Sequence, residues 1–204
     1  MSHYFDETPA AASAESALTV ELPDVSFTLR TDRGVFSHGR LDQGTAVLLR
    51  HAPPPPRRGE LLDLGCGAGP IALTLARRAP EATVWAIDVN ERARALCAAN
   101  AVANGLTNVV VRGPDEVPAD IRFDAIWSNP PIRIGKTALH ELLRTWLGRL
   151  TSDGRAVLVV QKHLGSDSLQ RWLIDAGWPT TRLASAKGYR VLDVRRTARS
   201  PGQG

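Results

Sequence analysis

Asn129-Pro130-Pro131 ends an apolar run, FDAIWSNPPI, and its residue types suit chemistry on an amine. Two prolines remove two backbone donors, and Pro130 drives Asn129 into an extended conformation. Such a turn presents acceptors: the Asn129 side-chain oxygen and nearby carbonyls, that of Pro130 first among them. Acceptors of this kind fit a flat –NH2 group whose lone pair is delocalised and poorly nucleophilic. Two hydrogen bonds from that group hold the nitrogen and turn its lone pair towards an electrophile. No strong base is required, because the nitrogen sheds its proton during or after the transfer. Alignment alone removes several kcal/mol of such a barrier.

A second group lies upstream in ELLDLGCGAGP (60–70), a short apolar strand, a glycine-rich turn and the start of a helix. Gly65, Gly67 and Gly69 alternate, and glycine lets a ligand approach the main chain closely. Pro70 fits the first turn of a helix, where its missing N–H is not needed. A dinucleotide site wants G-x-G-x-x-G around a pyrophosphate. Here the spacing is G-x-G-x-G with Asp63 just before it, a carboxylate that repels pyrophosphate and suits an ammonium group. Asp88 follows 19 residues after Gly69, at the end of a second apolar run, where a carboxylate takes ribose hydroxyls. Asp115 stands after a third run and can accept from an adenine amino group. An amino acid, a ribose and an adenine on one cationic ligand describe S-adenosylmethionine.

These groups need a scaffold that brings strand ends together. ATVWAID, NVVVR, FDAIWS and RAVLVVQ read as strands after the first, separated by helical patterns of about ten residues. Asn90 is placed to cap the long alanine-rich helix, which Asn104-Gly105 stops. Asp153-Gly154 is read as the turn before the fifth strand. Two last strands, about 181–185 and 189–195, flank Lys187-Gly188 with no room for a helix between them. The expected fold is α/β: a Rossmann-like, doubly wound seven-stranded sheet, mostly parallel, with a C-terminal antiparallel hairpin. In such sheets ligands bind beyond the carboxyl ends of the strands, at the switch in strand order. Gly65 to Gly69, Asp88, Asp115 and Asn129 to Ile132 then share one rim. Residues 1–56 are expected to form an N-terminal extension or cap, with short strands around Pro23-Asp24 and a helix over 45–51 capped by Asp42. The S-adenosylmethionine-binding domain is placed at 57–196 and a disordered tail at 197–204.

Composition narrows the class. No apolar run approaches the roughly 18 residues that span a bilayer. The N-terminus lacks the basic and apolar regions of a secretory signal. Cys66 and Cys97 show no metal-ligand or redox spacing, so no metal and a cytoplasmic location are expected. Residues 1–132 hold 12 Lys+Arg against 16 Asp+Glu, while residues 133–204 hold 13 against 5. A basic C-terminal part suits a polyanion such as nucleic acid; a solvated basic face is the plain alternative. Candidate phosphate-gripping residues are Arg133, Lys136, Lys162, Lys187 and Arg190. Trp127, inside a strand, is expected in the core. His140 and His163 lie near the rim without an evident partner.

DLGCGAG followed by WAIDVN resembles the cofactor motifs of class I methyltransferases. The resemblance gives Asp63 a role at the methionine end of S-adenosylmethionine, and Gly65, Cys66, Gly67 and Gly69 the close backbone approach. It places Asp88 and Val89 at the ribose and Asp115 at the adenine. GVFSHGRLDQGTAVLL, SNPPIRIGK, VVQKHLG and KGYRVL extend it over residues 3–195, where the chain is similar to small-domain methyltransferases. It is similar in particular to the catalytic domain of small-subunit ribosomal RNA guanine-N2 methyltransferases. That likeness implies Phe36, Gly44 and Thr45 in the cofactor or substrate pocket, and Asn129, Pro130 and Pro131 as the catalytic turn, with Asn129 binding the cofactor as well. Ile132 stands where an aromatic is common in such turns, so an apolar contact to a base is expected there. The larger bacterial enzymes carry a further N-terminal domain, which is not expected here. The implied partner is ribosomal RNA or the small ribosomal subunit, with no membrane, and a monomer is favoured. Two other readings stand beside it: an amine or amide acceptor on a small molecule or protein glutamine, and a non-catalytic RNA-binding module.

Overall fold

A computed structural model describes residues 16–31 and 40–196. The alternating run before the first helix forms an antiparallel pair, β1 (Ser16–Glu21) and β2 (Ser26–Thr31), closed by a Leu22 N–H bond to the Val25 carbonyl at 2.9 Å. Helix α1 (Gln43–His51) follows, and Asp42 caps it by accepting from the Thr45 N–H at 2.8 Å.

The remaining elements alternate: β3 (Arg58–Leu64), α2 (Pro70–Arg78), β4 (Glu81–Ile87), α3 (Glu91–Ala103), β5 (Val109–Arg112), β6 (Phe123–Ser128), α4 (Lys136–Leu147), β7 (Leu150–Gln161), α5 (Ser166–Asp175), β8 (Thr180–Ala186) and β9 (Tyr189–Arg195). They build a seven-stranded sheet in the order β5-β4-β3-β6-β7-β9-β8, parallel except where β9 runs against β7 and β8. The chain winds outward from β3 to β5 and then returns to β6 on the other side of β3. That reversal opens a crevice at the carboxyl ends of β3 and β6.

Both faces of the sheet are covered, which explains its near-continuous apolar strands. Leu61, Ala125, Trp127, Val157 and Val159 meet α1 and α2 on one face. Leu62, Leu64, Ile126, Leu158 and Val160 meet α4 and α5 on the other. Trp127 is 1% exposed, a core residue as its place in the strand implies.

One expectation is corrected. Asp153-Gly154 does not precede the fifth strand but lies within it, because β7 starts at Leu150. Phe123 pairs with Leu150 while Ala125 pairs with Arg155, so β7 carries extra residues in a bulge. A Cβ at Gly154 would stand 2.8 Å from the Phe123 carbonyl oxygen, and this close backbone approach is what the glycine permits.

The β1–β2 pair is fastened to the glycine-rich loop by one side chain. Asn100, fully buried on α3, donates to the carbonyls of Arg30 (2.9 Å) and Ala68 (2.8 Å) and accepts from the Arg30 N–H (2.9 Å). Asn104, one turn on, repeats the pattern on Thr28. Asn100→Ala leaves the buried Ala68 carbonyl without its donor and removes two bonds from the partly buried Arg30 backbone, and a buried unsatisfied group costs about 1–3 kcal/mol. Urea unfolding is expected to show a loss of about 3 kcal/mol for that variant.

Candidate functional site

The glycine-rich loop leaves β3 with backbone angles that favour glycine: φ is +79° at Gly65, +53° at Gly67 and +94° at Gly69. A Cβ built at Gly65 or Gly67 would meet nothing within 4 Å, whereas one at Gly69 would stand 2.6 Å from the Cys97 sulfur. The first two glycines therefore line open space, and the third allows α2 to pack against α3. The N–H groups of Gly65 and Cys66 bond the Ile87 carbonyl at 2.8 and 2.9 Å, which ties the loop to the end of β4.

The two acidic residues beside the loop have different places. Asp63 is fully buried beneath it, and its Oδ2 accepts from the Ala72 N–H at 2.8 Å, bracing the first turn of α2. Its Oδ1 has no partner among the described residues, and burial pushes this carboxyl well above the usual range. Asp88 stands on the rim. Its Oδ2 accepts from the Gly67 N–H and its Oδ1 from the Asn90 N–H, both at 2.9 Å. A carboxylate has about four acceptor directions, so each oxygen can take a further donor. Burial raises the Asp88 carboxyl too, with the backbone bonds from Asn90 and Gly67 working against it.

Across the crevice, the Ser128 hydroxyl donates to the Leu64 carbonyl at 2.7 Å and locks the ends of β6 and β3 together. Asn129 follows, half-buried, with its Nδ2 donating to Asp42 Oδ2 at 2.7 Å and to Thr45 Oγ1 at 3.2 Å. Pro131 has φ −75° and ψ 77°, and the Pro130 carbonyl accepts from the Ile132 N–H at 2.8 Å. This tight three-residue turn uses one lone pair of the Pro130 oxygen and leaves the other.

The rim thus brings together the glycine loop, Asp88 with exposed Val89, exposed Asp115, and the turn from Asn129 to Ile132. Cys66 is buried, with its thiol against the Gly67 carbonyl at 3.7 Å. Gly44 and Thr45 are buried behind Asn129, and Phe36 lies outside the described residues. Arg133 and Lys136 are exposed just after the proline turn. Lys162 and Lys187 are exposed as well, joined at the rim by the Lys162 N–H bond to the Gly188 carbonyl at 2.8 Å. Arg190 departs from the expectation of an exposed phosphate-gripping cation: its guanidinium is mostly buried and ion-paired with Asp167 on α5. His140 stacks on Trp172 with ring centroids 3.7 Å apart, a partner that sequence spacing does not reveal.

Two residues escape a reading of the sequence. Asp42 is fully explained there as a helix cap, so its bond to Asn129, 87 residues away, has no signal. Tyr189 packs against Gly44, where a Cβ would lie 2.8 Å from the tyrosine ring. Burial and then the charge of Asp42 raise its phenol above the ordinary value.

A methyltransferase small domain model matches residues 26–193, nearly the whole described chain. The chain belongs to that family. The methyltransferase is similar to YbxB of Bacillus subtilis (strain 168), 34% identical over 197 residues that cover 95% of this chain and 98% of that protein. It is also similar to ribosomal RNA small subunit methyltransferase C of Pseudomonas entomophila (strain L48), 36% identical over 199 residues, 94% of this chain and 58% of that one. The chain therefore spans less than two thirds of the length of that relative. Among solved structures, the 16S rRNA N2 methyltransferase of T. thermophilus in complex with AdoMet and guanosine superposes with a TM-score of 0.75. It is 24% identical, over 93% of this chain and 52% of that one, a likeness of fold. No helix among the described residues is long and apolar enough to cross a membrane.

Proposed function

We propose that this methyltransferase moves a methyl group from S-adenosylmethionine to the exocyclic N2 amine of a guanine in small-subunit ribosomal RNA. The observation that carries the reading is the Asn129 amide, whose donor is turned to Asp42 and Thr45 at the switch point, across from the glycine loop. Asn129 Oδ1 and the remaining lone pair of the Pro130 carbonyl form a pair of acceptors that matches the two hydrogens of an –NH2 group, whereas a hydroxyl offers one and a ring carbon none.

The chain's residues fit this cofactor. Gly65 and Gly67 leave the space that a side chain would fill, and Asp88 retains acceptor capacity for ribose hydroxyls. Val89 stands beside Asp88 at the ribose, and Asp115 lies further along the rim, towards the adenine. Fully buried Asp63 acts on the cofactor's amino-acid end through the loop and α2 that it braces. When bound, S-adenosylmethionine supplies an electrophilic methyl on a sulfonium. Asn129 Oδ1 and the free lone pair of the Pro130 carbonyl accept from the two amine hydrogens and aim the nitrogen lone pair. Ile132 offers an apolar contact to the base. Arg133, Lys136, Lys162 and Lys187 grip phosphates, and the base leaves its stack to reach the turn. The named activities of the ribosomal RNA methyltransferase relatives support this acceptor.

The pH dependence of cofactor binding follows from Asp88. Its carboxyl is raised from the usual 3.8, so in the free protein it takes up a proton at a higher pH than an exposed aspartate does. By itself that raised value stabilises the fold below the ordinary range, and the contribution is lost as pH rises through it. Ribose hydroxyls favour the ionised form, so cofactor affinity has the opposite trend. It is expected to fall as pH drops through the raised value, approaching about tenfold per unit for one linked proton. Calorimetric titrations between about pH 4 and 8 check this, and Asp88→Asn is expected to flatten the profile.

The function itself is tested by incubating the protein with labelled methyl donor and 16S rRNA, small ribosomal subunits or protein extract. Label is expected in RNA. Label confined to protein or to small molecules removes the reading.

A further inference from the structure

We propose that Asp42 is a positioning residue for methyl transfer: it sets which end of the Asn129 amide faces the acceptor amine. The inference rests on the reading of Asn129 as the group that receives that amine.

A side-chain amide has two nearly isosteric ends with opposite hydrogen-bonding character, one a double donor and the other an acceptor. A half-buried asparagine on a rim can turn either end to the substrate, and only the oxygen can accept from an –NH2 group. An ionised carboxylate is an acceptor only, so the atom facing Asp42 Oδ2 at 2.7 Å must be Asn129 Nδ2. The Thr45 hydroxyl oxygen lies 3.2 Å from the same nitrogen and takes its second hydrogen. Both donors are thus used on the α1 side. Oδ1, on the opposite side of the planar amide, is turned away from Asp42 and Thr45. The reversed amide would set oxygen against carboxylate.

Asp42 is itself held for this task. The same Oδ2 accepts from the Thr45 N–H at 2.8 Å at the first turn of α1, where the helix favours negative charge. Gly44 lies between Asp42 and the Tyr189 ring, and a Cβ there would be 3.0 Å from Asp42 Oδ2 and 2.8 Å from the ring. A side chain at position 44 would crowd both groups, and glycine leaves the carboxylate room to face Asn129. A charged acceptor also polarises the amide it holds, which strengthens Oδ1 as an acceptor. One residue therefore serves as helix cap and as orienting group.

The two roles are separable. Asp42→Ser keeps a good cap for the Thr45 N–H, but its shorter side chain does not reach Asn129. The expected result is a fall in kcat on ribosomal RNA of about 10²-fold, the scale of a misplaced reacting group. KM for RNA, cofactor affinity and Tm are expected to stay near those of the unsubstituted protein. Unchanged kcat overturns the proposal, and so does a loss carried by cofactor affinity or by Tm rather than by kcat. Asn129→Ala, measured alongside, separates this inference from the reading beneath it. If Asn129→Ala is inactive while Asp42→Ser is fully active, only the role of Asp42 fails. If Asn129→Ala transfers methyl as fast as the unsubstituted protein, the reading of the turn fails and takes the role of Asp42 with it.

Discussion

Asn129→Ala is expected to lower methyl transfer by about 10²–10³-fold, the cost of removing one preorganised hydrogen-bonding group from a reacting centre. The fold is expected to survive. Asn129 is only half-buried, and the end of β6 is held independently by the Ser128 bond to the Leu64 carbonyl at 2.7 Å. Asp42 loses one donor but keeps the Thr45 N–H. The cofactor site proposed above lies at the loop and Asp88 across the crevice, so calorimetry is expected to find affinity within about threefold of the original, a change worth under 1 kcal/mol. Asn129→Asp is expected to rescue nothing, because it sets a second carboxylate against Asp42, where the Nδ2 donor now lies 2.7 Å away. Single-turnover measurements on RNA separate the chemical step from product release.

Gly67→Leu and Gly69→Leu are expected to fail for different reasons. A Cβ at Gly67 meets nothing within 4 Å, and its φ of +53° is a left-handed angle that costs a side chain about 1–2 kcal/mol. The protein is expected to fold, with the added side chain filling the space proposed for the cofactor. Overpacking costs typically ~1–3 kcal/mol, so cofactor affinity is expected to fall by up to about 10²-fold. Gly69→Leu sets a Cβ 2.6 Å from the Cys97 sulfur and 3.0 Å from the Leu73 side chain, at φ +94°. Its loss is in stability, about 3 kcal/mol or more, as α2 is forced away from α3. Melting temperatures and calorimetry on the same pair of variants resolve the two effects.

What could be foreseen follows the range of the interactions. The alternation of strands and helices, the glycine loop, the place of Asp88 at a strand end and the proline turn rest on local signals: hydrophobic period, φ preferences and missing backbone donors. All of them survive in the structure because they are properties of a few adjacent residues. The Asp153-Gly154 pair misled, since a glycine that admits a neighbouring strand's carbonyl looks the same as one that makes a turn. Arg190 misled for a related reason: charge near a strand end says nothing of the Asp167 carboxylate delivered by another element. Asp42 is the instructive case. Its cap is a local contact and legible, but its bond to Asn129 exists only once α1 has packed beside the end of β6. The polar contact on which the proposed role of Asp42 rests is therefore one that no pattern in the chain announces.

The central claim, an exocyclic guanine amine as acceptor, is tested most directly by identifying the modified nucleoside. Ribosomal RNA methylated by the protein from labelled donor would be digested to nucleosides and separated beside synthetic standards. The expected product is N2-methylguanosine, absent from the same reaction with Asn129→Ala. Label in N6-methyladenosine or in a ring-carbon methyl, with none in N2-methylguanosine, would contradict it.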